Sequence, residues 1–343
     1  MKAAAILLVI AFHYFGQLAG WHMKVVPTDW FMAYWQHLDA VGVVRFIEAY
    51  FYLGVNMFVI ASGFGLYLSH LNSGRTMSLK EFFYKRIVRL LPAAILSIAV
   101  VFILKGLFLE GWIINNWYIN LFPFFGGLNL FSDSWFFPPI NGELWFLGLI
   151  IQLYLFFPLL TRMLKNLGRR NFLVLLFVVS VIFRAVYYWL WKDTVSSLSY
   201  GLSIGRLFEF GFGMVLADMF VKKEKLSPWW LAGLGLFFGY FFQWTFPFTD
   251  SLLGVGAFSL VWLLAGKIGY SKLIAKISAE SYLMFLLHHP FIWILNKAGL
   301  TDFWNWYGVL IFPLLFAFSY FVARLAQRKL GFEFRLKKTE MSV

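Results

Sequence analysis

Two histidines lie where the chain is otherwise apolar. His13 ends the run Ile6-Leu7-Leu8-Val9-Ile10-Ala11-Phe12, and His288 ends Tyr282-Leu283-Met284-Phe285-Leu286-Leu287. An imidazole titrates near neutral pH, so it can accept a proton from a hydroxyl and return it. Ionisable groups at membrane depth are expensive and mark functional sites. The chemistry expected here is proton transfer by an enzyme embedded in a bilayer.

Other polar groups sit in similar surroundings. Arg184 falls in the outer half of one apolar run, and Arg206 and Glu209 fall three apart in the next. That spacing puts Arg206 and Glu209 on one helix face, where they can neutralise each other. A lone Arg at the bilayer centre costs about 2.5–3.5 kcal/mol on insertion scales. A polar cavity between helices, opening outward, is the expectation. Arg184 also fits outward snorkelling, and Arg206 with Glu209 also fits a purely structural ion pair. Arg86 and Arg89 likewise share a face, just before Pro92. Two guanidinium forks there suit bidentate phosphate binding; they also fit a plain basic-loop bias. A metal site is not expected. His288 and His289 are adjacent and diverge by about 100° on a helix, and the sequence has no His-x-x-x-His or acidic partner at zinc-ligand spacing.

Composition sets the elements that must hold these groups. The 343 residues are 61% hydrophobic and 13% charged, about half the charge of a soluble domain. A polytopic, all-α membrane protein follows. Aromatics reach 22%, which suits interfacial Trp and Tyr belts. The net charge of +13 is read as basic cytoplasmic loops facing anionic lipid. No basic run is long enough for a nucleic-acid arm. Cysteine is absent, which excludes disulfides and thiolate chemistry. The opening apolar stretch is read as a first span, not a cleaved signal.

With about 20 apolar residues per span, ten are read: 3–21, 44–69, 88–109, 142–164, 172–191, 199–220, 228–246, 251–267, 274–296 and 306–328. Residues Pro247, Thr249 and Asp250 separate the seventh from the eighth. Every second loop is basic: Arg75 to Arg89, Arg162 to Arg170, Lys222 to Lys225, Lys267 to Lys276, and the tail from Arg328. The loop 110–141 has no Lys or Arg. The alternation predicts both termini in the cytoplasm. Residues 1–330 read as one membrane domain, and 331–343 as a short basic tail. His13 then lies roughly 15 Å from the cytoplasmic edge.

Six segments, in order, resemble the acyltransferase-3 family of membrane O-acyltransferases. They are Lys2 through Ala5, Ile6, Val9 and His13; Phe58-Val59-Ile60-Ala61-Ser62-Gly63-Phe64; Arg86, Arg89 and Pro92, with Leu90 for the usual Ile; Trp145-Phe146-Leu147 with Gln152, Tyr154, Leu155, Pro158 and Leu159; Arg206, Glu209, Phe210 and Gly213; and Ser281, Tyr282, Leu287, His288 and Pro290. The family often carries a Glu five residues after the Trp, where this chain has Ile150; Glu143 is the candidate to take its role. Many relatives add an extracellular hydrolase-like domain, and this chain is read as the standalone form.

The resemblance implies a bacterial plasma-membrane enzyme that moves an acyl group, most often acetyl, from acyl-CoA to a hydroxyl. The acceptor would be a surface glycan or its lipid-linked precursor. No cofactor is expected to be bound permanently; acetyl-CoA is the donor substrate. Arg86 and Arg89 would hold the CoA phosphates, and His13 would be the general base. Glu143 or Glu209 would orient the ring, and Arg206 or His288 would polarise the thioester carbonyl. Glu209 and Trp145 would meet the acceptor, and Ser62 would only pack. Direct transfer and an acyl-histidine intermediate both stay open. The rival reading is a transporter or flippase of lipid-linked sugars without acyl transfer.

Overall fold

Backbone amides in lipid must be satisfied within the chain, which selects helices. The computed structural model describes residues 1–18, 50–73, 78–108, 117–125, 140–190, 201–236, 245–269, 271–301 and 306–329. Among the described residues the only regular structure is helical: α1 (Lys2–Leu18), α2 (Leu53–Asn72), α3 (Leu79–Phe108), α4 (Trp145–Leu190), α5 (Leu207–Val221), α6 (Phe246–Ile268), α7 (Lys272–Lys297) and α8 (Trp306–Lys329). Short 3-10 turns cover Trp117–Phe125, Gly142–Leu144, Ser203–Arg206 and Pro228–Leu236. Among the described residues, five helices are long and apolar enough to cross a membrane by length and composition: Leu53–Asn72, Lys80–Phe108, Gly142–Tyr187, Pro247–Lys267 and Tyr307–Lys329.

The first helix shows how sequence sets packing. Ala5, Ile6, Val9, Ile10 and Tyr14 recur at helical spacing and are buried, forming one apolar stripe. That stripe faces α2 and α7. The backbone amide of Ala3 donates to Ser278 Oγ at 3.2 Å, and the Tyr14 hydroxyl donates to the Gly308 carbonyl. Lys2 and α7's first turns therefore share one end of the bundle.

As a straight rod the 46 residues of α4 would run about 69 Å, far beyond a ~30 Å hydrocarbon core. Gly168 breaks the rod, at φ 70° and ψ 165°, a conformation that glycine adopts without steric cost. The limb after Gly168 runs antiparallel to α5. Arg169 pairs with Asp218 near the C-terminus of α5, while Arg184 pairs with Glu209 at its N-terminus. Arg169 also binds Glu224 beyond α5. That guanidinium holds the Glu224 carboxyl below its ordinary range, so the surface staple forms above that range and is lost in acid.

The sequence reading needs two corrections. Pro247, Thr249 and Asp250 do not form a break. They lie inside α6, because proline in a first turn lacks an N–H that the helix would leave unbonded there anyway. The expected span 228–246 begins as the 3-10 turn Pro228–Leu236, and residues 237–244 lie outside the described residues, as does the tail from 330. Of the loop 110–141, residues 117–125 and 140–141 are described. Asn120 is buried, and its Oδ1 accepts from the amide of Ile140 at 2.9 Å.

At the centre, α2 and α5 meet backbone to backbone. A methyl added at Gly63 would fall 2.0 Å from the Phe210 carbonyl oxygen, and one at Gly213 would fall 2.0 Å from that of Ile60. Small residues permit this close crossing. Gly63→Ala or Gly213→Ala should destabilise the protein by about 1–3 kcal/mol through overpacking, read as a lowered unfolding temperature in detergent. Gly266→Ala, where a methyl meets nothing within 4 Å, is the control expected to show no such drop.

Candidate active site

Pro290 lies inside α7 and has no N–H to give the carbonyl four residues back. That carbonyl belongs to Leu286. It accepts instead from Asn141 Nδ2 at 3.0 Å, while the same amide nitrogen donates to Ser97 Oγ at 3.1 Å. Asn141 Oδ1 then accepts from the Glu143 amide at 3.1 Å, capping the turn Gly142–Leu144. A proline in α7 thus fixes, through Asn141, where Glu143 stands.

Glu143 reaches His289, with Oε1 2.5 Å from Nδ1. Its second oxygen, Oε2, is buried without a hydrogen-bond partner. Beside this pair, His288 Nδ1 lies 2.8 Å from the Phe285 carbonyl. A carbonyl only accepts, so Nδ1 carries the proton, and neutral His288 keeps its lone pair on Nε2. That atom is 2.8 Å from His13 Nδ1. His13 Nδ1 must then donate, which leaves the lone pair of neutral His13 on Nε2. The His13 ring centroid lies 4.8 Å from that of His288 and 4.3 Å from that of His289. The outer face of His289 stacks on Trp293 at 5.0 Å, and Lys105 Nζ lies 4.7 Å from the centre of the Trp293 ring.

Donor atoms of His13, Glu143, His288 and His289 all fall within 4.8 Å of one another. This corrects the spacing argument against a shared ligand set. Adjacent positions diverge at the helix axis, but the imidazoles of His288 and His289 run nearly parallel, 12° apart, and both lie against the His13 ring from α1.

A second polar cluster forms from four helices. Arg184 Nη2 meets Glu209 Oε1 at 2.6 Å, and Arg184 Nη1 meets Asp250 Oδ2 at 3.0 Å. Arg206 Nη1 meets Glu209 Oε1 at 3.1 Å and Asp250 Oδ2 at 3.0 Å. Two cations and two anions sum to zero, so burial leaves no net charge in the apolar interior. Ser251 accepts from Arg184 and donates to Glu209. Asn56 Nδ2 donates to the Asp250 carbonyl at 3.0 Å, and the Tyr52 hydroxyl contacts Arg206. Arg184, expected to snorkel outward, is instead 2% exposed and turned inward, because two carboxylates await it there. Tyr52 connects the clusters: its ring is 6.0 Å from Phe12, the neighbour of His13.

The third feature lies at the end of the bundle shared by Lys2 and the Gly168 break. Arg86 Nη2 is 3.4 Å from Ser69 Oγ, its guanidinium is 5.7 Å from the Phe82 ring centre, and its Nε is buried without a partner. Arg89 is exposed on the same face and lies close enough to Lys2 for their charges to interact. Lys2 and His13 are eleven positions apart on α1, or about 16 Å along the axis.

Of the expected site residues, His13, Glu143 and His288 converge, although Glu143 binds His289 rather than His13. Arg206 and Glu209 belong to the ion quartet instead. Trp145 opens α4 as a buried residue, edge-on to Phe146. His289, Asp250, Tyr52 and Asn141 were not singled out for the site by sequence reasoning. The proline at 290 was the one available pointer to a side chain that would serve Leu286.

Among the described residues, an all-helical membrane protein with a histidine–carboxylate cluster in its interior is the class that this arrangement defines. A family model described as an acyltransferase domain matches residues 1–324, and the chain belongs to the acyltransferase-3 family. No curated protein and no solved structure matches it.

The quartet gives a test of structure separate from chemistry. Asp250→Ala should leave buried guanidinium charge uncompensated and cost about 3–5 kcal/mol, seen as loss of folded protein in detergent. His13→Ala should leave the unfolding temperature nearly unchanged by comparison.

Proposed function

We propose that this acyltransferase moves an acyl group, most often acetyl, from cytoplasmic acyl-CoA to a hydroxyl of a cell-surface or lipid-linked glycan. It does so as a ten-span protein of the bacterial plasma membrane, with both termini in the cytoplasm. The observation that carries this reading is the convergence of three imidazoles and a carboxylate on one interior point, with one of them, His13, on the helix whose other end bears Lys2.

The donor enters from the basic end. Its phosphates meet Arg86 and Arg89, supported by Lys2, and its thin pantetheine arm runs along α1 toward His13. The acceptor hydroxyl arrives from the opposite side. His13 Nε2 takes the hydroxyl proton as the oxygen bonds to the thioester carbonyl carbon. The carbon–sulfur bond then breaks, and the imidazolium returns the proton to the departing thiolate. His288, through its bond to His13 Nδ1, keeps the lone pair on the reacting nitrogen. Glu143 supplies the negative charge that steadies the imidazolium, through His289. Arg206 and Glu209 act as positioning residues, holding Tyr52 beside Phe12 rather than touching the thioester.

General-base help contributes about 10²–10⁴-fold. His13→Ala should therefore cut transfer of label from acetyl-CoA to an acceptor glycan by about that factor, in purified protein of unchanged fold. Near-normal turnover would remove His13 from the role. Arg86→Ala should chiefly raise the acetyl-CoA concentration needed for half-maximal rate; an unchanged requirement would remove the phosphate clamp. Glycan movement across vesicles without acetyl-CoA, and no label transfer, would favour a flippase.

A further inference from the structure

The four converging side chains have a second capacity. Imidazole nitrogen and carboxylate oxygen are the ligands that zinc takes in tetrahedral sites, with bonds near 2.0–2.2 Å that place ligand atoms roughly 3.4 Å apart. The donor atoms here span that separation. The closest pairs are 2.5 Å and 2.8 Å, and all four lie within 4.8 Å. Modest ring rotations bring them to tetrahedral spacing.

Two further observations point to a cation. Glu143 Oε2 is buried with no hydrogen-bond partner, an acceptor that a positive charge would satisfy. His288 Nδ1 bonds the Phe285 carbonyl, the outer contact that typically fixes the ring of a metal-bound histidine. Three imidazoles favour zinc-like ions over magnesium or calcium, which prefer an all-oxygen shell.

We propose that His13, His288, His289 and Glu143 form a binding site for a divalent cation of the zinc class, and that such a cation blocks acyl transfer by occupying the lone pairs that move the proton. The blocking half rests on the proposed function; the binding half does not. No external group is needed to complete the site, because this chain supplies all four ligands.

The test uses the purified full-length protein in detergent, stripped with chelator and titrated with zinc chloride. One zinc per chain is expected, with a micromolar or tighter dissociation constant. His289→Ala should weaken binding about tenfold or more, while His70→Gln, at the opposite end of α2, should leave it unchanged. A gain of signal guards against misfolding. The chain has no cysteine, so His289→Cys loaded with cobalt should show a thiolate-to-cobalt charge-transfer band that the parent protein lacks. Absence of saturable zinc in the parent, binding retained in His289→Ala, or no such band in the folded Cys variant would each overturn the site. In the label-transfer assay, zinc should inhibit with the midpoint seen in binding, and chelator should restore the rate. Bound zinc that raises the rate would overturn the competition. No transfer with or without zinc would count against the acyltransferase mechanism, and the titration would still decide the site.

Discussion

The carbonyl of Leu286 cannot be satisfied by its own helix, because the residue that would donate to it is Pro290. In an apolar interior an unbonded carbonyl is costly. Asn141 resolves it from outside the helix, and much of the site follows from that choice. The asparagine draws in Ser97 of α3 and caps the turn that carries Glu143. Glu143 in turn fixes His289. Backbone chemistry thus sets the side-chain chemistry.

The ion quartet plays a different part. Arg184, Arg206, Glu209 and Asp250 come from α4, the turn before α5, α5 itself and α6, and each charge touches both of its opposites. Such a closed set ties the helices together in one relative register. Its reach toward the histidines is indirect, through Tyr52 and Phe12. The histidine cluster and the charges that hold the bundle are therefore neighbours built on separate contacts.

Much of this was legible in the chain. His13 and His288 stand out because their surroundings are apolar, and they do meet. The i, i+3 spacing of Arg206 and Glu209 announced a pair. Arg169 and Arg170 marked the turn that Gly168 makes. What escaped did so for physical reasons. Asp250 follows a proline and reads as loop, yet that proline starts a helix. His289 was set aside on helical angle and on the lack of a partner at ligand spacing, which ignores how far an imidazole reaches, which way its ring tilts, and partners distant in the chain. Tyr52 carries no local signal, since its partner lies 154 positions away, and the capping asparagine at 141 says nothing locally of Leu286, 145 positions on. The number of spans, read from apolar run length and checked by loop charge, goes beyond the five helices that length and composition mark out among the described residues.

Gly63 and Gly213 have a mechanical consequence. Where two backbones touch, no side chain remains between them to bend or swing, so α2 and α5 behave as a single stiff strut. Broad outward apolar faces lie on α3, α4 and α8, where Ile95, Ile103 and Leu107, then Leu155, Val174, Val178 and Ile182, and Leu310, Leu314, Phe318 and Phe321, point away from the core. Any breathing that opens the interior of the bundle has to hinge on that rim, with the strut as its fixed wall.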